Sequence, residues 1–134
     1  MEQKIFDSTL YCIIHRSEEW REGLDFLTDD AAFVQAGTWW YQKDKQLEAH
    51  WHNKVDRVAN LTQETVIVMA GSLEVNLYNP NQEKLDTFVL HQGDLGIFLD
   101  GGHGYKILED DTKIIEVKNG PFLGVEIDKT KFGS

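Results

Sequence analysis

The sequence predicts an all-β domain with one short helix near its start. The prediction depends on short runs rich in β-branched and aromatic residues, on turn residues between them at regular spacing, and on a single stretch with helical periodicity. Many short strands separated by turns are typical of a sandwich or a barrel. With 134 residues, 41% of them hydrophobic, residues 1–134 are expected to form one domain with a substantial core.

The short helix is predicted over residues 17–27. Ser17 is a suitable N-cap, and acidic residues follow it where a helix dipole is positive. Trp20, Leu24 and Leu27 would share one face of this helix. Strands are predicted after it over residues 32–41, around 50–52, and over 64–70, 73–78, 86–90, 95–99, 105–108 and 113–118.

Charge and composition exclude several classes of partner. The formal net charge of −10 and the absence of a basic cluster in the sequence argue against nucleic acid and against anionic membranes as partners. The first residues are not apolar enough for a signal peptide or a membrane span, so a cytoplasmic protein is expected. Cys12 is the single cysteine, which predicts a small buried apolar residue rather than a disulfide.

Two histidines are spaced to share one metal ion. In an extended strand His50 and His52 project to the same side, whereas Trp51 projects to the other. Downstream, Glu64 is the one charged residue in the run 64–70. A carboxylate at the head of a buried strand is costly unless it is hydrogen-bonded, paired or bound to a metal.

A glycine-rich loop carries the third histidine, His103, between Gly102 and Gly104. Glycines on both sides allow backbone conformations that can aim one imidazole inward. Together with His50, His52 and Glu64, His103 would supply three nitrogens and one oxygen, a ligand set suited to Zn, Fe, Ni, Mn or Cu. Positions would remain open for a substrate.

The pair of histidines and the glutamate that follows them resemble the first motif of the cupins, which are small jelly-roll β-barrels. That motif has His-x-His and then a Glu separated from a Gly by six residues, as in His50, His52, Glu64 and Gly71. Eleven residues separate His52 from Glu64, which is a longer spacing than the motif usually has. The resemblance implies a jelly-roll (cupin) β-barrel.

The second cupin motif begins with Gly-Asp and ends with a His, and it is similar to Gly93, Asp94 and His103. Its usual proline and trailing asparagine are missing from this sequence. The resemblance implies that His50, His52, Glu64 and His103 bind one divalent ion, Zn, Fe, Ni or Mn. It also implies a homodimer formed through the outer sheet, which Thr65, Ile67 and Met69 would suit.

A group of small single-domain cupins shares further features with this chain. These are a long spacing with an arginine inside it, a Gly-Gly-His-Gly loop and a Gly-Pro-x-x-Gly tail, matched by Arg57, residues 101–104 and residues 120–124. Arg57 could bind a carboxylate or phosphate of a substrate, or it could pair with a surface acid. Gln63 competes with Glu64 as a ligand, but strand parity places it on the opposite face.

Several other side chains have two interpretations. Tyr105 is a proton donor of the site or a packing residue, and Glu116 is a second acid in the cavity or an outward residue of an edge strand. Both are candidate catalytic residues. Tryptophans could line a sugar-binding face or fill the core and a subunit contact, and these are Trp39, Trp40 and Trp51. His15 and His91 are expected at the surface.

These features predict a metalloenzyme that acts on a small polar substrate, sugar-like or an organic acid. Isomerase, epimerase and oxygenase chemistry all suit such a site, with Glu116 or Tyr105 moving a proton. The alternative is a non-catalytic module that binds a small-molecule ligand together with the metal.

Overall fold

Ten strands and one short helix make up the computed structural model, which describes residues 1–133. The elements are β1 (Glu2–Phe6), β2 (Thr9–His15), β3 (Gly23–Phe26), β4 (Gly37–Trp40), β5 (Glu64–Ala70), β6 (Ser72–Tyr78), β7 (Lys84–His91), β8 (Leu95–Phe98), β9 (Gly102–Ile107), β10 (Lys113–Lys118) and α1 (Val125–Asp128).

The strands form three antiparallel sheets. A five-stranded sheet has the order β1-β2-β8-β5-β10, a three-stranded sheet has the order β7-β6-β9, and β3 and β4 form a separate two-stranded ribbon. The all-β prediction is confirmed. Within the described residues the three sheets do not join into a closed barrel.

The main core lies between the five-stranded and the three-stranded sheet. Alternation along β6 directs Leu73, Val75 and Leu77 inward, where they pack with buried side chains of β2, β5 and β8. Cys12 is among these, as predicted, and burial raises the pKa of its thiol to about 12. A second cluster, with Ile13 and Ile97 at its centre, covers the other face of the five-stranded sheet.

The helix predicted over residues 17–27 is wrong. This stretch makes a turn and then strand β3, in which Leu24 lies opposite Trp39. Tertiary contacts override the helical pattern, since residues 23–26 pair with β4 and Gly23 has a positive φ of 90°. The helix of the described chain is α1, and no helix in residues 1–133 has the length and apolar character that crossing a membrane requires.

Prediction of the strands was accurate where polar and apolar residues alternate or where a buried run ends in a turn. β5 and β10 have the predicted bounds, whereas the prediction over residues 32–41 shortens to β4 and residues 41–63 contain no strand. β1 and β2 were not predicted. His15, expected at the surface, is 2% exposed at the end of β2 and packs edge-on against Trp20.

Candidate functional site

Glu64, His103 and Tyr105 come together between the two large sheets. Glu64 begins β5 and shares its inward face with Val66. In β9, His103 lies opposite Leu77 of β6 and Tyr105 lies two residues further along, so both project toward the same core. Strand parity in each sheet therefore directs the three polar side chains into one region.

The carboxylate of Glu64 is the centre of this group. His103 Nε2 lies 3.2 Å from Glu64 Oε1, and the Tyr105 hydroxyl donates a hydrogen bond of 2.8 Å to Glu64 Oε2. The ring of Phe98, which lies opposite Glu64 in the five-stranded sheet, packs against both His103 and Tyr105 at centroid distances of 4.7 and 5.6 Å. A buried aromatic ring thus supports one side of the polar group.

The electrostatics keep Glu64 ionised and Tyr105 protonated. Burial alone would raise the pKa of Glu64, but His103, Tyr105 and the charge of Lys118 outweigh it and hold the pKa below its usual value. Burial and then the negative charge of Glu64 raise the pKa of Tyr105. The site therefore contains an ionised carboxylate and a hydroxyl that stays protonated and donates a hydrogen bond.

Strand β10 adds two charged groups to the same face. Lys118 lies directly opposite Glu64, and Glu116 lies opposite Val66. Lys118 Nζ is 3.0 Å from Glu116 Oε1, and this bond, with the charges of Glu116, Glu64 and Asp128, raises the pKa of Lys118. Sequence reasoning overlooked Lys118, although its two-residue spacing from Glu116 places both on one face of a strand.

The other predicted residues lie on a different part of the chain. His50, His52 and Arg57 belong to residues 41–63, which form neither helix nor strand, and every residue from 42 to 61 is exposed. The two imidazole rings are neighbours, with centroids 5.2 Å apart. His50 Nδ1 lies 3.1 Å from the carbonyl oxygen of Glu48, within the same segment.

These positions do not complete the predicted metal centre. Within residues 1–133 no three His, Cys, Asp or Glu side chains are grouped so that they could hold one ion. Glu64 and His103 form one pair and His50 and His52 another, so the arrangement does not fit a four-ligand centre. A four-ligand centre would require residues 41–63 to lie against the start of β5.

Gln63 points away from Glu64, as strand parity predicted. Its Oε1 accepts hydrogen bonds from the backbone N–H groups of Phe33 and Val34, at 2.7 and 3.1 Å, and its Nε2 donates to the carbonyl oxygen of Leu99. Gln63 is buried. It therefore connects the entry to β5 with two other parts of the chain and is not a candidate ligand.

Replacement of Gln63 by leucine should lower the free energy of unfolding by about 1–3 kcal/mol. The two backbone N–H groups would lose their partner in a buried place. Urea unfolding measures the change. Gln82→Leu, in an exposed turn, is the control, and equal stability of the two variants would contradict the assigned role of Gln63.

The tryptophans and the proposed dimer face differ in exposure. Trp39, Trp40 and Trp51 are all exposed, Trp51 to 86%, so none of them fills the core. On the outer side of β5, Thr65 is buried and Met69 is exposed. On that face, therefore, only the C-terminal end of β5, at Met69, is exposed to solvent.

Comparison with known proteins adds no relative to these observations. Neither a family model, nor a curated protein, nor a solved structure matches this chain. The contacts among its own residues are therefore the basis for a proposed function.

Proposed function

We propose that this chain is a cytoplasmic jelly-roll domain of the cupin type that binds one divalent transition-metal ion, Zn, Fe, Ni or Mn, and acts on a small polar substrate. The contact between Glu64 and His103 supports the proposal most strongly. The two residues are distant in the sequence, both belong to the resembled ligand set, and their side chains lie 3.2 Å apart. A carboxylate and an imidazole are ordinary ligands of these metals.

His50 and His52 would complete the ligand set from residues 41–63. The chain from His52 to Glu64 can span up to about 40 Å when extended, so its length permits both imidazoles to reach the Glu64 end of β5. Arg57 would move with them. In this arrangement its guanidinium would be available for a carboxylate of the substrate.

Within the site, Tyr105 and Glu116 are proposed as the catalytic residues. Tyr105 stays protonated beside Glu64, and because its raised pKa makes it a weak acid, it is proposed to donate a hydrogen bond to the substrate rather than to release its proton. Glu116, which lies opposite Val66 in β10 and is 46% exposed, is proposed as the base that moves the proton. Such a pair suits isomerisation or epimerisation of a sugar-like molecule or an organic acid, and a bound metal would polarise a carbonyl or hydroxyl oxygen. A homodimer is proposed through the exposed end of the outer face of β5, at Met69.

Metal analysis tests the proposal directly. The purified protein should carry about one equivalent of a divalent transition metal, measured by mass spectrometry, and should rebind Zn²⁺, Ni²⁺ or Mn²⁺ after chelation. Glu64→Gln and His103→Ala should each weaken binding by at least about 100-fold, more than the loss of a supporting residue. His91→Ala is the matched control because His91 is 70% exposed and lies outside the site.

Failure of the protein to bind any of these ions, or equal affinity of His103→Ala and His91→Ala, would contradict the proposal.

A panel of sugars and organic acids then separates an enzyme from a binding module. Turnover that is lost in Glu116→Gln supports the enzyme, whereas ligand binding without turnover supports the module.

A further inference from the structure

The C-terminal segment, residues 119–132, contacts both parts of the chain that carry Glu64 and His103. We infer that this segment positions the two side chains relative to each other. Asn119 and Asp128 fix the residues that precede Glu64, and Phe132 fixes the residue that precedes His103. The inference deepens the proposed function, because the positioned pair is the one proposed to bind the ion.

Asn119 holds the residues just before Glu64. Its side-chain oxygen accepts a 2.7 Å hydrogen bond from the backbone N–H of Gln63, and its side-chain nitrogen donates to the carbonyl oxygen of Leu61 at 3.2 Å. The backbone N–H of Asn119 also donates to the Gln63 carbonyl oxygen. One asparagine therefore satisfies the backbone on both sides of Thr62.

Asp128 holds Thr62 itself. The Thr62 hydroxyl donates a hydrogen bond to Asp128 Oδ1 at the end of α1. Residues 41–61 lie before this point without helix or strand, so these contacts lie where the irregular stretch leads into β5. The segment therefore controls how the chain enters β5, whose first residue is Glu64.

Phe132 packs beside the residue that precedes His103. Its ring packs edge-on against Tyr78, with centroids 5.2 Å apart, and Tyr78 lies opposite Gly102 in the pairing of β6 with β9. A Cβ atom added to Gly102 would come within 2.7 Å of the Phe132 ring. Phe132 thus lies directly over Gly102, the residue that precedes His103.

The contacts on the two sides belong to one short piece of chain. Displacement of either end would change the separation of Glu64 and His103, because each is one residue from an anchored position. Metal and catalytic sites tolerate displacements of only about 0.5 Å. Loss of supporting residues therefore typically lowers metal affinity by about 10–100-fold.

The first test measures Zn²⁺ affinity by competition with a chelator. Phe132→Ala and Asp128→Ala should each lower the affinity by about 10–100-fold, whereas the conservative Phe132→Tyr should retain most of it. Phe122→Ala is the matched control, since Phe122 belongs to the same segment and is 63% exposed. Glu126→Ala controls for Asp128, because Glu126 is an exposed acid of the same helix. Affinities of the test variants equal to those of the controls would overturn the inference.

The second test needs no metal and therefore separates this inference from the proposed function. Diethyl pyrocarbonate modifies exposed imidazoles, and mass spectrometry follows His103 and His91 in the same sample. His103 should react more slowly than His91 in the wild type, and it should react several-fold faster in Phe132→Ala or Asp128→Ala than in the wild type, with the rate at His91 unchanged. Urea unfolding establishes that each variant is folded under the assay conditions.

If the wild type binds no Zn²⁺, the proposed function fails while the reactivity of His103 still decides the role of the segment. An unchanged His103 rate in folded variants would overturn the inference, even if the metal were bound.

Discussion

Gly101→Ala is expected to lower the free energy of unfolding by about 2–5 kcal/mol, the combined cost of a left-handed backbone conformation and of overpacking. Gly101 has a φ of +67°. A Cβ atom there would lie 2.1 Å from the Tyr11 ring and 2.6 Å from the backbone oxygen of Tyr78. Neither contact can be relieved by moving the end of a flexible side chain.

Gly104→Ala, three residues further along in β9, is the matched control. Its added Cβ would meet only the Tyr78 ring, at the ordinary contact distance of 3.7 Å, and Gly104 has no positive φ. Urea unfolding of both variants gives the comparison. Equal stability of Gly101→Ala and Gly104→Ala would show that the close approach at Gly101 is not present in solution.

Asp94→Ala is expected to cost about 3 kcal/mol, because it leaves buried donors without their acceptor. Asp94 accepts hydrogen bonds of 2.8 Å from the backbone N–H groups of Ser17 and His91, and its Oδ2 lies 3.0 Å from Arg16 Nη1. The carboxylate is almost fully buried. Asp110→Ala, in an exposed turn, is the control.

The contribution of Asp94 should depend on pH. Burial alone would raise its pKa, but the backbone donors of His91 and Ser17 and the charge of Arg16 together hold the pKa below its usual value. A lowered pKa in the folded state stabilises the fold above the unfolded pKa of about 3.9 and loses this effect as the pH falls through the folded value. The stability difference between wild type and Asp94→Asn should therefore be largest above about pH 5 and shrink in stronger acid.

A difference that stays constant from neutral pH into strong acid would contradict the ionised state assigned to Asp94. Equilibrium unfolding in urea at a series of pH values measures it. The Gly-Asp pair that resembles a cupin motif thus has a structural role, since Gly93 makes the turn with a positive φ and Asp94 bonds to Arg16 and Ser17, directly after β2.

Local sequence patterns predicted most of the later strands and the direction of their side chains, although β9 begins at Gly102, where a glycine-rich loop was expected. β5 and β10 have the predicted bounds, and parity correctly separated Glu64, which points inward, from Gln63, which points the other way. The same period of two places Glu116 on the face of β10 that contains Ile114 and Lys118, where the Glu116 side chain is 46% exposed. These features depend on local geometry, which neighbouring residues specify.

Only the tertiary structure decided which distant residues meet. The closeness of Glu64 and His103 depends on how two sheets pack, and residues 23–26 form a strand in place of the predicted helix because they pair with β4. The burial of His15 and the contacts of residues 119–132 likewise come from long-range packing. The periodicity of a sequence predicts on which face of a strand a side chain lies. It does not predict which distant segment packs against that face, because that depends on contacts between segments.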